Sequence, residues 1–454
     1  MVNSSQTDGN DKDKNYDIGS RLDNLGRIPI KKSIIIAISL SSFFALYDVS
    51  NFQYISPVLK SAWHLTDSQI AYSIAMRILG QVVGAFCVSM YADWYGRKPA
   101  LMITLIILAT GSILVAVSTN IFQVSIFRLL TGIGIGGEVV IAAAYIGEVS
   151  PKSKRGRYTS LIFLMGAIGL ASSGPVSYVL LREGATMAID SWRILMAIPA
   201  VVALLLLRLR YDMSESPRWL LSRGRIKETN IILEKLGLAP IRHPEIDLTS
   251  GTRRGLLHAF NNRKILSRSA LFISLWFLLL ASGSAATMLV VEYVNQGYTV
   301  SQSVAITTIG TVGYVIGAYL SILVADKLER KYQFVVGALI MGFAFILRGL
   351  LIHDYFALFI AGFIGFAANS WLLACLFTYT AENFPTRIRS IATGGVEGLG
   401  SGLATVGPII FVLLRPFGFL NVMIGLATFL FVGVALVILF GSRSVGISLE
   451  HLNE

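Results

Sequence analysis

Charge is scarce in this chain. Of its 454 residues only 14% are charged, 54% are hydrophobic, and the mean hydropathy is +0.67. Soluble proteins average about 25% charged residues. So much apolar surface exceeds what one water-soluble core can hide, and the bilayer is the expected solvent. Cysteine is nearly absent. Cys87 and Cys375 lie in separate apolar runs with no metal or redox spacing, and are expected to pack as small hydrophobes. Residues 1–32 lack an apolar h-region, so no cleaved signal peptide is expected. No nucleophile–base constellation, metal cluster or phosphate-binding loop stands out, which argues against an enzyme and against a bound cofactor. The net charge of +12 does not point to nucleic acid, because the basic residues sit in loops between apolar spans and not on an aromatic-bearing groove.

What the chain has in abundance is long apolar runs. A helix needs about 20 apolar residues to cross the hydrocarbon core. Twelve such runs are predicted, at 33–58, 68–92, 99–118, 121–147, 157–182, 191–211, 267–294, 301–325, 332–352, 355–381, 389–414 and 419–441. The long break falls between the sixth and seventh. The expected divisions are an N-terminal tail 1–32, a six-helix bundle 33–211, an inter-bundle loop 212–266, a second six-helix bundle 267–441 and a C-terminal tail 442–454. The loop carries a helical pattern over 226–236, read as short helices lying under the bundles. Lysine and arginine concentrate in alternate loops, while the opposite loops hold little beyond Lys60, Arg182 and Arg415. The positive-inside rule then predicts a multi-pass plasma-membrane protein with both termini cytoplasmic.

A charged pattern occurs twice. Asp93-Trp94-Tyr95-Gly96-Arg97-Lys98 returns 233 positions later as Asp326-Lys327-Leu328-Glu329-Arg330-Lys331. Glu148, Pro151 and Arg155 return at an offset of 234 as Glu382, Pro385 and Arg389. An internal repeat of this length, made of membrane-like segments, predicts a transporter built from two related halves.

These motifs resemble those of the Major Facilitator Superfamily. Residues 89–98 are similar to its loop signature G-x-x-x-D-R-x-G-R-R/K, with Ser89 and Trp94 as departures. Residues 128–138, Arg-Leu-Leu-Thr-Gly-Ile-Gly-Ile-Gly-Gly-Glu, resemble its fourth-span signature. Ser214-Glu215-Ser216-Pro217-Arg218-Trp219-Leu220 resembles the P-E-S-P-R-W/Y-L motif of the sugar-porter and metabolite–proton-symporter branch, with Ser214 in place of the first proline. The resemblance implies a single-chain, all-α carrier of twelve helices in two bundles that works by alternating access on a small solute. Sugar porters carry Gln-Gln-x-Ser-Gly-x-Asn in the seventh span. Here Leu279, Leu280 and Ala285 replace its polar groups around Ser282-Gly283, and Phe163 replaces the fifth-span glutamine. A hexose would leave hydroxyls unpaired at a cost of roughly 1–3 kcal/mol each. An organic acid or related metabolite is therefore expected ahead of a sugar. A sugar–proton symporter, a phosphate or anion carrier and a non-transporting nutrient sensor are the alternatives.

Ionisable residues inside spans cost at least ~2.5–3.5 kcal/mol at mid-helix, and so face the interior or a partner. Asp48 and Arg77 fall at similar heights on consecutive helices, about 22 and 21 Å above the cytoplasmic ends. The resemblance pairs Asp48 with Arg128 and implies proton coupling there. A carboxylate's proton affinity rises on desolvation and falls beside an arginine, so a moving arginine would load and release a proton. Glu138, near the midplane, is a further candidate for holding a proton. Asn51, Gln53, Tyr54, Trp276, Asn369, Trp371 and Glu397 are the candidate solute contacts. Glu292 and Arg348 fall near outer span ends, where a rim salt bridge or snorkelling is expected. Asp93, Arg97, Glu148, Arg155, Glu215 and Arg218, mirrored by Asp326, Arg330, Glu382 and Arg389, are the expected cytoplasmic gate. Individually weak surface pairs of ~0–1 kcal/mol can bias one state without trapping it.

Overall fold

The structure is a computed structural model and describes residues 30–150, 152–181, 191–241, 263–324, 328–384 and 389–442. Among the described residues, twelve helices are long and apolar enough to cross a membrane. In order they are Lys32–Trp63, Asp67–Tyr95, Arg97–Ala116, Ile121–Val149, Lys152–Leu181, Ser191–Arg210, Arg263–Asn295, Val300–Val324, Arg330–Leu350, Tyr355–Glu382, Arg389–Phe417 and Phe419–Phe440, called spans 1 to 12. Asp326 of the second charged loop lies outside the described residues, as do the side chains of Arg155 and Arg389.

Local chemistry sets the starts of several spans. Thr66 and Gln69 form a capping box on span 2, Asn120 caps span 4, and the Asp354 carboxylate accepts two backbone N–H groups at the head of span 10. Between spans 2 and 3 the chain turns at Gly96, with φ +115°. A Cβ there would also lie 2.2 Å from the Glu215 carboxylate. Only glycine suits both constraints.

The two halves share one packing plan. Span 2 packs on span 4, 1 on 5, and 3 on 4 and 6. In the second half, 8 packs on 10, 7 on 11, and 9 on 10 and 12. The closest crossing is built from glycine in both halves. A Cβ on Gly80 or Gly84 would reach about the carbonyls of Leu129 and Ile133, at 2.0 and 2.1 Å. The matching distance for Gly317 against Ala367 is 2.0 Å. Small residues let backbones approach where lipid supplies no hydrophobic drive between helices. The bundles meet through spans 5 and 8, spans 2 and 11, and span 1 with the C-terminal part of span 7.

Spans 7 and 11 are not continuous α-helices. Each tightens into a 3₁₀ turn, at Ala286–Met288 and at Ala404–Val406. The two turns are tied together, because the Ser284 hydroxyl donates to the Ala404 carbonyl at 3.1 Å. Two short helices, Pro217–Ser222 and Ile226–Lys235, follow span 6. Trp219 and Arg223 anchor them by donating to the Asp93 carbonyl.

Candidate functional site

A small cavity of about 50 Å³ lies between the bundles. Span 1 contributes Val49, Ser50 and Gln53, span 5 contributes Leu170, and the second half contributes Gly283, Ala286, Thr287, Thr311, Tyr314 and Phe366. Its polar lining is entirely hydroxyl and amide. Ser50 donates to the Leu170 carbonyl at 3.1 Å and lies 2.5 Å from the Ser173 hydroxyl. Asn369 donates to the Tyr314 hydroxyl at 3.1 Å from behind the wall. Tyr54 lies beside Gln53, Ser173, Thr308 and Thr311, yet neither its hydroxyl nor that of Thr308 has a hydrogen-bond partner. Buried hydroxyls left unmatched are costly, and mark where water or solute completes the set.

Of the expected solute contacts, Gln53 lines the cavity, while Tyr54 and Asn369 lie against its lining residues from outside. Asn51 does neither: its amide donates to the Leu195 carbonyl of span 6 at 3.0 Å, because one helical turn above Asp48 points into the bundle seam. Trp371 is directed to Gln333 of span 9 at 3.5 Å. Trp276 is buried below the cavity, donating to Thr380 at 3.2 Å. Its ring meets Phe377 at 4.6 Å, and Phe377 meets Phe163 of span 5 at 6.1 Å. This aromatic stack joins the bundles on the side of the basic loops.

Asp48 is buried beside the cavity, between two arginines whose charges act on it. It forms a salt bridge with neither. Its Oδ1 accepts a long 3.5 Å bond from Ser112, and its Oδ2 has no partner. Arg77 instead donates to Gln81 at 2.9 Å, and the Arg128 guanidinium stacks on the Phe52 ring at 3.8 Å. The sequence reading offered either arginine as a direct partner; the structure holds both in reserve.

Glu138 is tied completely. Its carboxylate accepts from Arg210 at 2.5 and 3.0 Å, from Ser41 at 2.5 Å and from Thr104 at 2.7 Å. Arg210 also donates to Ser41 and to the Leu101 carbonyl. This cluster staples spans 1, 3, 4 and 6 together. Arg210 looks in the sequence like one more loop cation, so its role was not legible. Arg348 departs from the rim expectation too. It is buried, donates to the Gly362 carbonyl at 3.1 Å and lies between the Phe345 and Phe366 rings.

On the face of the basic loops, Arg97 bonds Asp93 at 2.6 Å and Glu148 at 2.8 Å, and Arg330 bonds Glu382 at 3.3 Å. Each of these pairs stays inside its own bundle, so the repeat in sequence is a repeat in contacts. Glu215 accepts from the backbone N–H groups of Arg97, Lys98 and Ser216. It thereby caps span 3 from across the bundle. Burial pushes the Glu215 carboxyl above the usual range against the pull of these N–H groups, and Glu148 adds to the rise. Arg218 follows it at the start of the first short helix.

The opposite face carries an ionic cluster that does cross between bundles. Lys60 bonds Asp67 at 2.5 Å and the Asn295 side chain at 2.8 Å. Arg415 bonds Asp67 and reaches Glu292 at 3.1 Å. Gln296 donates to Glu292 at 2.8 Å. Glu292 is the rim salt bridge foreseen in the sequence. Its partner was not, although Lys60 and Arg415 stood out as rare cations in otherwise neutral loops. One face is therefore tied across the bundles, while the Arg97 and Arg330 pairs of the other face stay within theirs.

The profile of one family, sugar (and other) transporters, matches residues 33–454. The chain belongs to this family. The fold agrees: a xylose transporter of E. coli, XylE, in a partially occluded inward-open conformation superposes with a TM-score of 0.75 at 18% identity, over 92% of this chain and 99% of that one. Among curated relatives, the niacin transporter NiaP of Acinetobacter baylyi is 23% identical over 96% of this chain and 99% of its own length. The inner membrane metabolite transport protein YdjE of E. coli is 23% identical over 97% and 99%. This family member is a multi-pass, secondary-active carrier of the Major Facilitator fold for a small organic solute, and not an enzyme.

Proposed function

We propose that the carrier is a proton symporter for a small neutral solute rich in hydroxyl groups, with a sugar as the leading class. The observation that carries this is the cavity lining: Ser50, Gln53, Thr287, Thr311 and Tyr314 offer hydroxyl and amide groups and no charge. A permanent anion would meet no counter-charge there, whereas a polyol can pair most of its hydroxyls. The likeness to a xylose transporter and the family description support the sugar alternative better than the organic-acid reading expected from the missing seventh-span glutamines. In this reading the hydroxyl partners come from spans 1, 7 and 8.

Asp48 carries the coupling proton in this reading. With neither arginine bonded to it, a small shift of Arg77 or Arg128 changes its charge balance, and solute beside Ser50 sits one turn away. The basic face is cytoplasmic, and the membrane is the plasma membrane. The ionic cluster of Lys60, Asp67, Glu292 and Arg415 is the outer latch, and the paired charges at Arg97 and Arg330 belong to the inner gate. A cavity of about 50 Å³ is too small for a monosaccharide, since solute pockets run to roughly 300 Å³ and above. Solute therefore enters only when the bundles part.

A second reading, an aromatic or aliphatic carboxylate, draws on Arg77 and Arg128, two buried cations without a bonded carboxylate, and on the niacin transporter relative. Uptake of labelled D-xylose and nicotinate into proteoliposomes under an inward proton gradient separates the two. Uphill D-xylose uptake that a protonophore collapses is the expected result. Gradient-driven nicotinate uptake without D-xylose uptake selects the second reading, and insensitivity to the gradient removes proton coupling.

A further inference from the structure

We propose that Glu397 is a second proton-carrying carboxyl, set in the bundle that lacks Asp48; this rests on the proton-coupled reading above. The contacts of span 11 fix where Glu397 points. Val396 is buried in the core shared with span 7, and a Cβ on Gly400 would lie 2.4 Å from Trp276. Gly398 and Gly402 turn toward Phe86 and Val82 of span 2. Leu399 and Leu403 face outward, 55% and 53% exposed. Successive residues turn by about 100°. Glu397 therefore falls on the side left over, between span 7 and span 2 and away from the outward leucines. Gly394 shares that side, exposed and with nothing within 4 Å of a Cβ. In the proposed transport cycle this gap beside span 2 of the other bundle is the vestibule.

Glu397 is partly buried there, with no hydrogen bond or ion pair among the described residues, and no charged side chain acts on it. Several titratable groups of the packed elements are bonded elsewhere, Arg77 of span 2 to Gln81 among them. Asp93 of span 2 bonds Arg97, and Arg268 of span 7 donates to the Asn383 carbonyl. On span 10, Cys375 and Tyr379 donate to the carbonyls of Arg330 and Ser442, and Glu382 pairs with Arg330. Cys87 of span 2 is exposed. Glu138 shows what a structural carboxylate looks like in this protein: three side chains hold it. Glu397 has none. An uncompensated charge in a dry site costs several kcal/mol, whereas the neutral acid does not. Closing the vestibule favours the protonated acid, and water entering it favours the carboxylate, so the group loads and unloads with the cycle.

The test uses the full chain in liposomes. Among the carboxyl bands of infrared difference spectra between acid and alkaline buffer, one should be deleted by Asp48→Asn and another by Glu397→Gln. An unchanged spectrum for Glu397→Gln overturns the proposal, while an unchanged spectrum for Asp48→Asn sinks the Asp48 reading alone. Melting temperature controls for folding. With D-xylose as the probe, each coupled proton multiplies the accumulation ratio about tenfold for every ~60 mV of potential. The wild type should approach a hundredfold, and Glu397→Gln about tenfold. A folded Glu397→Gln protein that no longer binds D-xylose or nicotinate would make Glu397 a solute contact and also refute its proton role.

Discussion

At the scale of single residues, the two mid-span acids of the first half are held differently. Asp48 is held loosely and Glu138 tightly. Asp48→Asn should cut proton-driven accumulation in proteoliposomes about tenfold for every ~60 mV of potential yet leave solute exchange running; undiminished uphill uptake removes its role. Glu138→Gln should lower unfolding stability by about 3–5 kcal/mol, because it strands the buried Arg210 cation. Thermal unfolding in detergent measures this, and Glu138→Gln with Arg210→Met should recover part of the loss. The sequence marked both acids by their depth in apolar runs. It did not show which was tied, because the partner Arg210 closes span 6 and reads as a loop charge. Asn51 was misjudged for a related reason: sharing a helix face with Asp48 does not mean sharing its cavity, since that face spans both cavity and seam.

At the scale of elements, spacing and composition were enough to place twelve spans, since each needs only length and apolarity. The break in span 7 carries no proline or charge and stayed invisible, whereas span 11 is rich in glycine and its break precedes Pro408, whose missing N–H leaves the Ala404 carbonyl to Ser284. Gly96 was read as part of a motif; its positive φ and the Glu215 carboxylate against it give the physical cause. Gly96→Ala should be destabilising through both strain and clash, and a fall of several degrees in melting temperature is expected. Glu215 gives a pH signature. Its folded carboxyl binds a proton more readily than an unfolded one would, so its contribution favours the folded state as pH falls through the raised range and opposes it above. Glu215→Gln should flatten stability against pH on the acid side of neutrality. An unaltered pH profile of melting would show that the cap does not titrate there.

At the scale of the whole molecule, the repeated charges pair within each bundle and unrepeated ones join the two bundles. The mirrored pairs at Arg97 and Arg330 lie within their own bundles, while Lys60, Asp67, Glu292 and Arg415 join the two halves on the other face. Only the first set recurs in sequence, so only it was legible as a gate. Arg415→Glu should open the outer side: a cysteine placed at Val58 should gain access to an impermeant reagent by several-fold, and adding Asp67→Arg should restore protection. Equal labelling in wild type and Arg415→Glu would show that the cluster does not hold the outer side shut.

The bond from Ser284 to the Ala404 carbonyl joins the bends of spans 7 and 11, and the segments beyond those bends carry Glu292 and Arg415. Ala286 and Thr287 belong to the same bend and border the cavity. In the proposed transport cycle, whatever fills the cavity pushes on the root of a two-bladed flap whose tips are its own fastening. Cargo and clasp share a crank, so a solute that fits badly fails twice: it binds poorly, and it leaves the flap unmoved.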